Sequence, residues 1–316
     1  MGLYRSVRAV TAAGGEGAID WTAVAEAAKA ATDPGDLEVS AAERRAYARD
    51  VRDARDRVRT VTALEFDLPD TVEIQNRHHW IDANLRTFER VMAPLEAEAD
   101  GVPGLARVAN TGSMTVATAF LARHVLGQYD PLLLADHDDH ALYFVRPNID
   151  RVADTLDVGR DRFRRWIAFH EVAHAAEFGA APWLPGHLEA AMEGAIDALV
   201  DGSLDRDSFG ELDTTMTAVE GYAELVMDRA FDEEYADLRR KLEARRSGHG
   251  PLQRLIRRLL GLGMKRRQYE RGKAFFDAVV AARDVRAAGA VWHSPQALPT
   301  DAELDEPERW LRRVGR

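Results

Sequence analysis

The pentapeptide His170-Glu171-Val172-Ala173-His174 carries two imidazoles and a carboxylate at a spacing that matters only if the segment is helical. On a helix, residues four apart are neighbours on one face, so both rings can reach a single ion. Glu171 then stands about 100° around the axis. There it flanks a water on the ion rather than the ion itself, which is where a general base must be. Zinc held by neutral ligands lowers the pKa of such a water towards about 7 and polarises the carbonyl under attack. The spacing therefore predicts metal-assisted hydrolysis, with His170 and His174 as ligands and Glu171 as catalytic base. Phe163, Trp166, Ile167 and Phe169 precede the motif, which marks a buried helix rather than a surface helix with two incidental histidines.

Two histidines leave a catalytic zinc site short of a ligand, since three protein donors are usual. The longer motif that adds a third histidine on the same segment is broken here: Glu177 stands where it needs glycine, and Ala180 where it needs histidine. The third donor must come from elsewhere. In Val219-Glu220-Gly221-Tyr222-Ala223-Glu224-Leu225-Val226-Met227-Asp228, the acids Glu220, Glu224 and Asp228 form one helical stripe among apolar neighbours. Buried carboxylates without a partner are expensive, so the stripe calls for a cation or histidines. Glu220 is the leading third ligand, because Gly221 lets another helix or a substrate approach closely. Glu224 would then receive the second ring N–H of a ligand histidine. A rival register moves everything one turn, with Glu224 as ligand and Asp228 behind it, and His187 is a further alternative. Either way the expectation is one Zn2+ per chain and no organic cofactor.

Composition narrows the field from the other side. The 316 residues contain no cysteine, which excludes thiolate metal sites, disulfides and cysteine nucleophiles, so any metal sits on His, Asp or Glu. The net charge of -11, from 42 basic and 53 acidic residues, argues against nucleic acid as the general partner. Only four of the basic residues are lysines (Lys29, Lys241, Lys265 and Lys273), and this arginine-rich, acidic balance suggests an archaeal, salt-adapted source. No apolar run approaches a membrane span, and Met1 to Val10 lack the hydrophobic stretch of a secretion signal. A cytoplasmic protein is the expectation. The stretch from Arg239 to Lys273 holds thirteen basic and two acidic residues, and is read as a packed helical segment whose arginines face outward. The cluster from Asp136 to His140 has the composition of a turn.

Elements must bring these groups together, and their pattern is mostly helical. Helices are expected over Trp21 to Ala31, Ala41 to about Ala63 with Ser40 as N-cap, His79 to about Ala99, Ser113 to about Leu126, Arg160 to Phe178, His187 to Val200 and Thr214 to Asp228. Three more are expected over Glu233 to Ala244, Leu252 to Leu260 and Lys265 to Ala282. Strand character is confined to Thr71 to Gln75, Leu132 to Ala135 and Ala141 to Val145. The expected fold is mainly α with a small β element. With no repeat or long linker, it forms one α-rich domain over 1–316, in which an N-terminal lobe (about 1–182) carries the zinc helix and a C-terminal lobe (about 183–316) the glutamate helix.

The Glu-Gly-aromatic-Ala run after a distant His-Glu-x-x-His resembles the gluzincin arrangement. Nearly the whole chain resembles a prokaryotic zincin-like family of zinc-dependent metalloproteases and hydrolases, one branch of which is labelled as associated with deazaflavin coenzyme biosynthesis. The segments that carry the likeness are Leu126-Gly127-Gln128-Tyr129-Asp130, Phe144-Val145-Arg146-Pro147-Asn148, the zinc helix with Pro182-Trp183-Leu184, the Glu220 run, Met264 to Gly272, and Leu298-Pro299-Thr300 with Trp310. The resemblance implies a zincin-like metallopeptidase fold, with the metal helix and the glutamate helix on two sides of a cleft. It also implies an edge strand that aligns an extended substrate, for which Ala141 to Val145 is the nearest candidate, and a Tyr or His that stabilises the oxyanion, with Tyr222, Tyr129 and Tyr269 as candidates. The substrate would be a peptide or a small amide. The alternative is a catalytically silent zinc-binding interaction protein linked to coenzyme metabolism.

Overall fold

A small sheet and three long helices position the residues singled out above. The computed structural model describes residues 2–15, 17–97, 104–130, 140–200, 206–231, 235–246 and 266–314. The sheet has three strands, β1 (Thr71–Gln75), β2 (Gly127–Asp130) and β3 (Ala141–Val145), in the order β1-β3-β2. β1 runs parallel to β3, from Thr71 opposite Ala141 to Gln75 opposite Val145, and β2 runs antiparallel to it, from Gly127 opposite Phe144 to Asp130 opposite Ala141. β3 is therefore the central strand, and the expectation that it offers a free edge is wrong. Its composition explains why: Ala141, Leu142, Phe144 and Val145 are all buried, the near-continuous apolar run of a strand covered on both faces. Among the described residues the outer strands are β1 and β2. The strand expected at Leu132 to Ala135 lies outside the described residues.

The first helices, α1 (Gly2–Thr11), α2 (Trp21–Ala30), α3 (Ala41–Thr62), α4 (Arg77–Ala97) and α5 (Gly104–His124), follow the expected order, with α1 added. Local chemistry sets the ends. Asp20 accepts from the Ala23 amide to start α2, Ser40 accepts from the Glu43 amide to start α3, and Ala63 closes α3 in the left-handed region. α5 begins well before the expected Ser113, because Gly112 is not a stop. It faces Val10 of α1, whose side chain would meet a Cβ there at ordinary contact distance, 3.4 Å. α6 (Arg146–Leu156) was hidden by Pro147, which sits in the first turn where its missing N–H costs nothing.

The second half consists of α7 (Arg160–Ala180), α8 (Leu184–Val200), α9 (Arg206–Ala230), α10 (Ala236–Arg246) and α11 (Arg266–Ala282). The short helices α12 (Val285–Ala288), α13 (Asp301–Asp305) and α14 (Pro307–Val314) follow. The expected helix at Leu252 to Leu260 lies outside the described residues. α7 is buried nearly all round, by Phe163, Trp166, Ile167, Phe169, Val172, Ala173 and Ala176, and packs against α3, α6, α9 and β2. α9 in turn lies against α11, where Gly221 and Gly272 meet so closely that a Cβ on Gly221 would stand 2.5 Å from the Gly272 carbonyl carbon. One apolar core takes in residues from Tyr47 to Trp310. Arg164 and Asp50 tie α7 to α3 inside it, 2.7 Å apart. Among the described residues no helix is long and apolar enough to cross a membrane.

Candidate metal centre

His170 and His174 project from one face of α7, their ring centroids 4.7 Å apart. Glu220 reaches them from α9, so that one donor atom from each of the three lies within 4.8 Å of the others. All three side chains are partly exposed. The α7–α9 contact does this positioning. Val219, Ala223 and Val226 on α9 and Phe169, Val172, Ala173 and Ala176 on α7 belong to the same core, and Gly221 lets α11 press on α9 from behind.

The donor set fits a zinc ion. Two imidazoles and a carboxylate are the ligands of several catalytic zinc sites. Moreover, Glu220 Oε2 is buried and has no hydrogen-bond partner among the described residues. A buried carboxylate oxygen in that condition costs free energy unless a cation meets it. His170, His174 and Glu220 are thus the residues that could hold the metal.

Around these donors the protein arranges two more buried acids. Glu171, almost wholly inside, accepts a 2.9 Å hydrogen bond from the Tyr129 amide of β2. Gly127 makes room for it, since a Cβ there would stand 2.7 Å from the Glu171 Cγ. Burial pushes the Glu171 carboxyl up to about 7; His174 and the Tyr129 amide oppose that shift and Glu220 adds to it. Glu177 is fully enclosed and lies 2.9 Å from His174 Nδ1. Its carboxyl is also pushed up to about 7, chiefly by burial. Burial by itself would depress His174, but attraction to Glu177, the hydrogen bond to it, Glu220 and Glu171 together raise the ring to about 10. Without an ion, then, a proton on His174 answers the surrounding carboxylates.

The other sequence candidates are placed as follows. Asp228 is held by Lys273 at 2.9 Å and Arg239 at 3.4 Å, tying α9 to α11 and α10. Glu224 is partly exposed, one turn from Glu220, whereas the carboxylate on His174 Nδ1 is Glu177. His187 lies 3.1 Å from the Thr215 hydroxyl and 3.8 Å from Glu211. Tyr222 is fully buried, edge-on to Phe276 and Trp292, and burial raises its hydroxyl pKa. Tyr129 is partly exposed; its ring stacks on His140 and its hydroxyl lies 2.6 Å from His140 Nδ1. The Tyr269 side chain and residues 131–139, with most of the Asp136 to His140 cluster, lie outside the described residues, as does the middle of the basic stretch. Sequence reasoning missed Glu177 and Gly127. The signal for Glu177 was present, a carboxylate three residues beyond His174 on a largely buried helix; for Gly127 none was.

The sequence profile of the zincin-like metallopeptidases matches residues 19–207 and 198–311. A protein from Chloroflexus aurantiacus, provisionally described as a hydrolase with a novel fold, is 31% identical in sequence. Its crystal structure superposes with a TM-score of 0.78, over 94% of this chain and 99% of the other. No curated protein matches.

Proposed function

Because the chain belongs to the zincin-like metallopeptidase family, we propose that it is a zinc-dependent hydrolase that cleaves peptide or amide bonds, with His170, His174 and Glu220 holding one zinc ion and Glu171 as general base. The observation that carries this reading is the arrival of Glu220, fifty residues after His170, at the two imidazoles with a buried oxygen left unpartnered. Bound there, zinc supplies Lewis acidity to an attacking water and to the scissile carbonyl. Glu171 takes the proton from that water and later delivers it to the leaving amine. Between turnovers the Tyr129 amide holds this carboxylate and Gly127 leaves space for it. Among the described residues β2 is the outer strand that packs against α7, so an extended substrate would lie along it. Tyr129, whose hydroxyl is next to His140, is the tyrosine best placed to reach such a substrate. The protein works in the cytoplasm as one catalytic unit.

The second reading is a catalytically silent zinc protein that serves as an interaction module in coenzyme metabolism. It draws on the same Tyr129 amide, which occupies one of the base's oxygens. Zinc analysis combined with digestion of a broad peptide library, comparing wild type with Glu171→Gln, separates the two. Cleavage abolished in the variant with zinc retained supports the hydrolase. Zinc bound with no cleavage by either protein leaves only the silent protein.

A further inference from the structure

We infer that Glu177 is the positioning residue of the metal centre, the carboxylate that fixes which nitrogen of His174 faces the ion. The inference rests on the reading of His170, His174 and Glu220 as zinc ligands. Glu177 stands three residues beyond His174 on α7, so the two side chains meet on one face of the same helix. It has no exposed surface at all, and its Oε2 is 2.9 Å from His174 Nδ1. A carboxylate only accepts, so Nδ1 is the donor and Nε2, at the other end of the ring, is the nitrogen left to shed its proton and face the ion. The imidazole is thereby held in one orientation before any ion arrives.

A buried carboxylate is costly to keep unless it is used. His174 is the one side-chain partner seen for Glu177 among the described residues, and Glu177 Oε1 has none. A group kept only for packing would be replaced at lower cost by Leu or Met at this fully buried position. Sequence spacing gives the ring-orienting role to Glu224 on the opposite helix. For His174 the structure gives it to a residue on the zinc helix itself.

The test uses the full chain as wild type, Glu177→Gln and Glu177→Leu. Zinc affinity is measured by chelator competition, the cobalt(II)-loaded absorption spectrum is recorded, and the His174 ring nitrogens are followed by 15N NMR with and without zinc. The expected result is a graded loss: about 10- to 100-fold weaker zinc binding for Leu and less for Gln, which can still accept a hydrogen bond. A changed cobalt spectrum and loss of the Nδ1–H tautomer in the Leu variant should accompany it. A packing role would lower thermal stability without moving the tautomer or the spectrum. Should Glu177→Leu fail to fold, the near-isosteric Gln variant decides through its affinity and tautomer. Wild type that binds zinc alongside variants within twofold of it, with an unchanged tautomer, overturns the inference alone. Wild type that binds no zinc overturns the site reading and this inference with it.

Discussion

Replacing Gly221 by alanine probes how the fold delivers Glu220 to the two histidines. An added Cβ would stand 2.5 Å from the carbonyl carbon of Gly272, 2.7 Å from its Cα and 2.9 Å from its oxygen, whereas ordinary contact begins at 3.4 Å. These are backbone atoms of α11 and cannot rotate aside, so α9 and α11 must separate by about 0.9 Å. Overpacking of this kind costs about 1–3 kcal/mol, which outweighs the 0.5–1 kcal/mol, roughly, that alanine gains over glycine inside a helix. A net loss of about 1–2 kcal/mol lowers Tm by a few degrees in a chain of this size. Glu220 precedes the substituted residue, so the same displacement shifts its carboxylate relative to the imidazoles and weakens zinc binding by about tenfold, equal to about 1.4 kcal/mol. Differential scanning calorimetry of the metal-free protein and chelator competition measure the two effects separately. Gly194→Ala is the matched control: on α8, a Cβ there meets nothing within 4 Å, so it should stabilise by about 0.5–1 kcal/mol and leave zinc affinity untouched. A Gly221→Ala protein with wild-type Tm and wild-type zinc affinity would refute the claim that this helix crossing sets the position of Glu220.

Gly127→Ala acts on the base instead of the metal. The new methyl collides with the Glu171 side chain, and a base displaced by about 1 Å loses on the order of 100-fold in turnover, while zinc affinity should stay within about threefold; equal losses in both would contradict the assignment. The metal-free protein should lose stability as pH rises. Glu171 and Glu177 are pushed up to about 7 and His174 to about 10 in the fold, so the folded state binds more protons than the unfolded chain. The loss runs from about pH 4.5 to 7 for the carboxyls and from about 6.5 to 10 for the histidine. A metal-free Tm that climbs between pH 5 and 9, or a zinc-induced gain that shrinks over that range, would go against it. Asn148→Ala should destabilise by about 2–4 kcal/mol, since this fully buried amide donates to the Ala122 and Val125 carbonyls and accepts from Arg77; urea denaturation with a shift below 1 kcal/mol, roughly, would show that those groups find other partners.

The chemistry was legible where it is local. His170, Glu171 and His174 are placed by helix periodicity alone, and the apolar residues around them on α7, from Phe163 to Ala176, need no tertiary information to be read as buried. Glu220 was legible for a different reason: a carboxylate followed by glycine inside an apolar helix signals a close approach, and Gly272 supplies it. What escaped depends on contacts between distant segments. Strand β2 is four residues long and begins with glycine, a poor strand former whose role appears only when the Glu171 carboxylate is seen against it. The centrality of β3 was written in its apolar residues, yet proximity to the zinc motif suggested an edge. The part of α5 before Ser113 and the whole of α6 went unread: Gly112 lies inside the one, and Pro147 in the first turn of the other, where its missing N–H costs nothing. Glu177 was seen only as a mismatch to a longer motif, since periodicity tells which face a residue occupies but not which nitrogen it touches.

The most direct measurement is a crystal structure of zinc-loaded protein with diffraction recorded on both sides of the zinc absorption edge. The account predicts one anomalous peak per chain, about 2.0–2.2 Å from a nitrogen of each of His170 and His174 and from a Glu220 oxygen. An absent peak, or one whose protein ligands do not include Glu220, would contradict it.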